Sequence, residues 1–378
     1  MRRNNGALIL IIFIVFALLL SGFGIYASEK NVESVSARAA ALYDPNGDRF
    51  LYSKCMNEHL YMASTTKIMT ALVVAENLPL DKVVSFPACA VGTEGSSAYF
   101  EEGEHVTVEG LLFALLLRSA NDAAVALATE VSGNIEGFAL LMNDRADALG
   151  LTDTNFKNPH GLHDDEHYTT AHDLALIAAE AMKNDTVARI MSQRKHTVTT
   201  DLSTHVFYNH NKLLNRYDGA CGVKTGFTKD AGRCLVGAAM RDGITLISVT
   251  LDAPDDWNDH ERMLDFGFSV LENRNIARRG DFNRSLPVLG SDKDKIEVAI
   301  ANDVNCILMK NEQLPKSEVR LSRYTTAPIE VGDTVGEVVF TRDGKEIARA
   351  PLVAKESAAV QKKKNLFDKI KSFFKRTD

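Results

Sequence analysis

Cysteine is scarce and scattered in this chain. Five occur in 378 residues, Cys55, Cys89, Cys221, Cys234 and Cys306. No two stand at metal-ligand spacing, and their number is odd, so neither a thiolate zinc site nor a disulfide framework is indicated. Cys221 reads as a buried structural thiol. Histidines do not repair the deficit. His160, His163 and His167 share one polar loop, with no second histidine group to complete a site. No metal and no cofactor is expected. An excess of positive charge is missing as well. Fifty acidic against 43 basic residues leave a net charge of −7, which argues against a nucleic-acid partner. A quarter of the residues are charged and 45% are hydrophobic, enough for two or so folded domains with ample core.

One long apolar run stands at the N-terminus. Arg2-Arg3 precede Ala7–Leu20, and the small residues of Ser21–Ala27 follow. A positive start, an apolar segment and small residues make a secretory signal over residues 1–27, with cleavage after Ala27. Extended to Ala27, the same stretch would just span a bilayer as an uncleaved anchor. Either way the bulk of the chain lies outside the cytoplasm.

Three short strings carry chemistry: Ser64-Thr65-Thr66-Lys67, Ser119-Ala120-Asn121 and Lys224-Thr225-Gly226. The apolar run Ile68–Val74 predicts a buried helix starting near Ser64. Residues i and i+3 share a helix face, so the Lys67 amine reaches the Ser64 hydroxyl. Serine is a poor nucleophile until a neighbour takes its proton. Lysine does so only where burial or nearby positive charge favours its neutral form, and Lys224 could supply that charge. Ser119 and Asn121 fall between two helical segments, Glu109–Leu117 and Asp122–Val131. There Ser119 can relay a proton, and Asn121 can hold an amide with its donor and its acceptor. Lys224 and Gly226 share one face of a predicted strand, leaving Thr225 pointing away unless the edge twists. Such a cation suits a terminal carboxylate, and Gly226 lets a substrate backbone approach. Taken singly, each string has a plainer reading: a helix cap, a helix end with its cap, and an edge strand with a protective lysine. Their order and spacing favour a serine acyl-transfer site.

The order of predicted elements is strand, helices, strand. It implies an α+β domain over residues 28–275, an antiparallel sheet with a helical lobe and the site at the seam. From Ile276 helical periodicity vanishes and short apolar runs alternate with turns, which predicts a small β-sandwich over 276–356. Residues 357–378 differ again. Leu366, Phe367, Ile370, Phe373 and Phe374 recur at helical spacing, with lysines on the other face. That is an interfacial, membrane-anchoring amphipathic helix in type.

These residues resemble the low-molecular-mass penicillin-binding proteins, specifically the D-alanyl-D-alanine carboxypeptidases of serine peptidase family S11. The resemblance rests on Ala63–Leu72, Leu117–Ala124, Asn158-Pro159-His160-Gly161-Leu162 and Gly222–Thr228, with Ala327-Pro328-Ile329 and Val331-Gly332-Asp333 in the C-terminal part. It implies a β-lactamase/transpeptidase-like catalytic domain that trims peptidoglycan stem peptides and is acylated by β-lactams. It further implies Ser64 as nucleophile, Lys67 as base, and Ser119 and Asn121 as aids to proton transfer and positioning. Lys224 and Thr225 would bind the carboxylate, and the backbone N–H groups of Ser64 and Phe227 would form the oxyanion hole. The enzyme would work on the extracytoplasmic face of a bacterial membrane. Two departures stand out: Phe227 where many relatives have His, and His210 in a region where some have Arg. A class A β-lactamase would need Asp where Ala120 stands and an activating glutamate loop, which Asp164-Asp165-Glu166-His167 does not match. A non-enzymatic wall-binding protein is disfavoured because every motif residue is present.

Overall fold

The computed structural model describes Val32 and residues 34–361. The N-terminal signal and all of the tail beyond Gln361 lie outside the described residues. The strands are β1 (Ala39–Asp44), β2 (Arg49–Lys54), β3 (Val83–Ser85), β4 (His105–Thr107), β5 (Lys195–Thr199), β6 (Thr204–Tyr208), β7 (Ala220–Thr228), β8 (Gly232–Arg241) and β9 (Ile244–Leu251). Eight further strands lie in the C-terminal part: β10 (Leu271–Ala277), β11 (Arg284–Leu289), β12 (Lys295–Ile300), β13 (Val304–Met309), β14 (Lys316–Leu321), β15 (Thr325–Thr326), β16 (Thr334–Arg342) and β17 (Lys345–Ala354). The helices are α1 (Lys67–Asn77), α2 (Val108–Phe113), α3 (Asn121–Ser132), α4 (Ile135–Ala148), α5 (Ala171–Lys183), α6 (Asp185–Met191), α7 (Leu213–Arg216) and α8 (Asp256–Val270).

The central sheet runs β2-β1-β9-β8-β7, antiparallel throughout. Its first and last strands in the chain are spatial neighbours, as the order strand–helices–strand implied. Alternation sends Val236, Ala238, Ile247 and Val249 toward the helical lobe, and Leu235, Ala239 and Leu246 toward α8. Strand β1 is buried on both faces, which its small alanines permit. The helical lobe contains two short hairpins, β3–β4 and β5–β6. The first escaped the sequence reading because three-residue strands leave almost no alternation to detect. Most important for function, among the described residues β7 pairs with β8 alone and so forms an edge.

The second part begins earlier than the texture change at Ile276 suggested. Strand β10 follows α8 directly and pairs with β13, so the boundary lies at the end of α8. One six-stranded sheet, β14-β16-β17-β12-β11-β15, forms the larger layer. The β10–β13 ribbon packs over it, closing a core of Ala277, Val304, Val338, Phe340 and Leu352. The two layers of the expected sandwich are therefore unequal. Residues 357–361 belong to this part: Ala358 bridges Ile329 and Val360 bridges Ser291. The helix read from residue 357 thus cannot begin before these contacts end. A carboxylate ties the two parts. Glu312 accepts from Arg49 at 2.7 Å and from Arg342 at 2.9 Å, and Arg342 also donates to the Gly47 carbonyl at 2.7 Å.

Under the sheet, fully buried His260 of α8 bridges the hydroxyls of Ser248 (2.7 Å) and Thr250 (3.0 Å). Burial holds its imidazole down to about 3. A depressed histidine favours the fold above its unfolded value of about 6.5, and that contribution is lost as pH falls. Between pH 6.5 and 5.5 the wild type is expected to lose about 1 kcal/mol more stability than His260→Asn, one proton's linkage. Urea unfolding at the two pH values measures it, and equal losses would remove His260 from the acid response.

Candidate active site

Ser64 sits in a 3₁₀ turn, Ala63–Thr66, that runs into α1. In a 3₁₀ turn side chains three apart eclipse, which brings Lys67 over Ser64 more directly than an α-helix would. The turn is pinned by its own hydroxyls. Thr65 Oγ1 donates to the Met62 carbonyl at 2.6 Å and Thr66 Oγ1 to that of Ala63 at 2.7 Å. The 158–162 loop closes underneath. Thr70 Oγ1 donates to Pro159 O at 2.7 Å, and Asn158 Oδ1 accepts from Gly161 N at 2.7 Å. Gly161 has φ +82, and a Cβ there would overlap the Ala63 carbonyl. Only glycine allows the loop to lie this close to the Ser64 turn.

Lys67 is fully buried. Its Nζ lies 2.9 Å from Ser64 Oγ, 2.7 Å from Asn121 Oδ1 and 2.6 Å from the His160 carbonyl. Asn121 is oriented by its other end, since Nδ2 donates to the Glu94 carbonyl at 2.6 Å. Burial and the positive field of Lys224 hold the Lys67 amine well below the ordinary lysine range, with Asp122 pulling the other way. A neutral amine has two N–H groups and one lone pair. The His160 carbonyl and Asn121 Oδ1 can only accept. They take the two N–H groups, and the lone pair is left for the Ser64 hydroxyl proton.

Ser119 is set by an unusual helix end. Helix α2 continues as a π-type turn over Ala114–Arg118, and Ser119 follows in the left-handed region at φ 64. A non-glycine residue there is strained by about 1 kcal/mol, and such strain gathers at functional sites. The turn places Ser119 beside Ser64 in one cleft before α3 begins at Asn121. Asp122, also buried, accepts from Ser97 Oγ and from the backbone N–H groups of Ala98 and Tyr99. It thereby fixes the loop whose Ser96 carbonyl receives the Asn121 N–H.

Strand β7 forms the opposite wall. Lys224 and Gly226 face the Ser64 turn: a Cβ at Gly226 would stand 3.0 Å from Ser64 N. Thr225 and Phe227 pair across to Leu235 and Arg233 on the α8 face, as strict alternation requires. Because β7 is an edge, Thr225, Gly226 and Phe227 nevertheless all line the cleft. The cleft is about 330 Å³ and also touches His210, Lys212, Arg233 and Trp257. Lys224 is buried, and burial brings its amine down to about 7. His210 is pushed below the usual histidine range by burial and by the charges of Lys224 and Arg118. This end of the cleft favours an anion.

All eight residues singled out in the sequence, Ser64, Lys67, Ser119, Asn121, Lys224, Thr225, Gly226 and Phe227, are brought to this seam. The sequence reading assigned no role to the His160 carbonyl, Asp122 or the Glu94 carbonyl. Backbone carbonyls leave no mark in a sequence, and Asp122 looked like a helix cap. His167 read only as a weak metal ligand. It instead faces Thr66 Oγ1 through Nε2 at 2.8 Å and accepts from Lys157 N through Nδ1, kept neutral at about 4 by burial. Among the described residues no group of three or more His, Cys, Asp or Glu is placed to hold a metal ion. Cys221 and Cys234 are both pushed up by burial, to about 11 and about 12, and are unreactive as thiols at neutral pH.

Comparison with known proteins agrees with this geometry. The family described as D-alanyl-D-alanine carboxypeptidase matches residues 26–255, and the C-terminal domain of penicillin-binding protein 5 matches residues 271–359. D-alanyl-D-alanine carboxypeptidase DacF of Bacillus subtilis is 33% identical over 331 residues, 85% of each chain. The structure of penicillin-binding protein 5 from Haemophilus influenzae is similar over 87% of this chain and 99% of that one, at 29% identity and a TM-score of 0.64. The Streptomyces K15 DD-transpeptidase is similar over 64% of this chain and all of its own, at 33% identity and a TM-score of 0.60. A serine held against a buried lysine, on a sheet and helical lobe of this order, thus belongs to a known lineage: this chain is a member of the D-alanyl-D-alanine carboxypeptidase family, peptidase S11, among the penicillin-binding proteins.

Proposed function

We propose that this enzyme removes the terminal D-alanine from peptidoglycan pentapeptide stems through an acyl-enzyme on Ser64. The observation that carries the reading is the Lys67 amine, whose two other partners are acceptors only, 2.9 Å from Ser64 Oγ. Ser64 Oγ attacks the carbonyl of the penultimate D-alanine while its proton passes to Lys67 Nζ. The oxyanion is received by the backbone N–H groups of Ser64 and Phe227. Such preorganised donors are worth about 10²–10³ in rate each. As the intermediate collapses, the departing amine of D-alanine takes the proton, relayed by Ser119. Water, deprotonated by Lys67, then hydrolyses the Ser64 ester. The terminal carboxylate lies by Lys224 and Thr225, and Asn121 steadies the substrate amide. The free edge of β7 takes the extended stem as an added strand. A β-lactam enters by the same attack.

Penicillin is expected to leave a persistent adduct on the wild type, seen by intact-protein mass spectrometry. None is expected on Ser64→Ala, and an adduct on that variant would move the nucleophile elsewhere.

The two lysines set opposite limbs of the pH profile. Lys67 must be neutral, so kcat/KM falls as pH drops and the amine gains its proton. Lys224 must be charged to hold the carboxylate, so kcat/KM also falls as pH rises through about 7 and above, a bound carboxylate pushing that limb upward. A C-terminally amidated substrate is expected to keep the acid limb and lose the alkaline one. An unchanged alkaline limb would place the carboxylate away from Lys224.

Export by residues 1–27 and peripheral membrane binding through the basic, aromatic tail complete the reading, with the β-domain as spacer. Co-sedimentation with anionic vesicles is expected to require residues 362–378 and to weaken with salt. Equal pelleting of the truncated protein would exclude the tail as the anchor.

A further inference from the structure

Ala63 stands immediately before Ser64 with φ at 47°, in the left-handed region. A residue with a Cβ is strained there and stays only where its surroundings over-determine it. Gly161 lies against the Ala63 carbonyl, and Thr66 Oγ1 donates to it at 2.7 Å. That carbonyl and the Ser64 N–H belong to one planar trans peptide, so they point opposite ways and turn together. Whatever holds the Ala63 carbonyl therefore aims the Ser64 N–H.

The Thr66 hydroxyl is buried, and a hydroxyl turns to suit its partners. Its second partner is His167, also buried, with Nε2 at 2.8 Å. The backbone N of Lys157 lies 3.0 Å from His167 Nδ1, and a peptide N–H can only donate. Nδ1 is therefore the bare nitrogen, and Nε2 carries the proton. Nε2–H donates to Thr66 Oγ1, which commits the Thr66 proton to Ala63. Each donor's direction follows from the one before it, from Lys157 N–H through His167 and Thr66 to the peptide of Ser64. Phe156 meets the ring edge to face, with centroids 5.8 Å apart and 74° between planes. Burial keeps the imidazole uncharged. An imidazolium would turn a second N–H on Lys157 and break the chain at its start.

We propose that His167 is a positioning residue for acylation: through the Thr66 hydroxyl it aims the Ser64 N–H at the oxyanion. The inference rests on the Ser64 acyl-enzyme reading above, and adds a residue that touches neither substrate nor reacting atoms. The loop that carries His167 reaches the site at two further points, the His160 carbonyl on Lys67 and the Pro159 carbonyl on Thr70. Those two links hold the amine and its helix. The His167 link holds the donor, whose direction matters most when charge develops on the substrate oxygen. Loss of the link is expected to slow the chemical step and leave the binding before it unchanged.

Two substitutions divide the ring. His167→Asn keeps an oxygen near Nδ1 for Lys157 and cannot reach Thr66, whereas His167→Gln keeps an N–H near Nε2 for Thr66 and gives up Lys157. Stopped-flow acylation by benzylpenicillin over a range of concentrations separates initial binding from the rate constant of acylation. His167→Asn and Thr66→Val are each expected to lower that rate constant about 10- to 100-fold, short of the loss of a whole donor. The double variant is expected to be no slower than either single one, and His167→Gln to recover most of the rate. A His167→Gln as slow as His167→Asn, additive losses in the double variant, or a loss confined to binding would overturn the proposal. Histidine-selective nitrogen NMR of the wild type, its His167 signals assigned by their absence from His167→Gln, reads the tautomer directly. The Nε2–H form is expected at neutral pH, and the Nδ1–H form or the imidazolium would overturn the proposal whatever the variants do. No penicillin adduct on the wild type would overturn the acyl-enzyme reading and this inference with it.

Discussion

The site depends on one energetically unfavourable placement: a lysine amine held in the protein interior without a carboxylate partner. Burying an ammonium is costly, and a lysine so placed gives up its proton instead. Among the described residues Lys67 hydrogen-bonds to three oxygens and to no carboxylate, with Lys224 adding repulsion and Asp122 opposing it. The lost charge is what would let a side chain that is normally a cation act as the proposed base. Its neighbours are arranged so that the lone pair has one useful direction. Everything near it serves that end: the 3₁₀ turn that stacks Ser64 beneath the amine, the glycine loop that presents the His160 carbonyl, and the Glu94 carbonyl that orients Asn121.

The fold supplies the opposing wall by leaving a strand unfinished. A sheet edge is normally a liability, open to other chains. Here the edge of β7 is turned toward the Ser64 turn, with Gly226 close against it. The same unpaired backbone that invites aggregation elsewhere would, on the proposed reading, hold an extended peptide. Recognition and hazard are one set of N–H and C=O groups, separated by what stands in front of them.

Much of this was legible in the residues. The apolar run after Lys67, the helical segment after Asn121 and the strand pattern around Lys224 showed which elements carry the three strings. Alternation placed Lys224 and Gly226 on one face, and the structure keeps them there. What stayed hidden was long-range or made of backbone. The approach of the 158–162 loop to Ala63 joins segments about a hundred residues apart. The left-handed turn at Ser119 follows a π-type widening that no local pattern announces. The first strand of the C-terminal part was missed because β10 follows α8 without a turn residue and, among the described residues, pairs with β13 alone. The domain change was therefore read a few residues late.

On the proposed reading, in which the tail holds the enzyme at a membrane, the Glu312 clasp bears on how a tethered catalyst would meet an immobile polymer. One carboxylate shared by Arg49 and Arg342, with a second link from Arg342 to the Gly47 carbonyl, resists pivoting between the two parts. A slack joint would let the cleft sweep a volume above its support, at the cost of meeting each stem in random attitudes. A clasped one confines it to a thin shell at a set height and facing. For a substrate that cannot diffuse, reach then becomes a matter of geometry rather than of searching. Lengthening or shortening the β-part would change which layer of the polymer is within range, with the chemistry at Ser64 untouched.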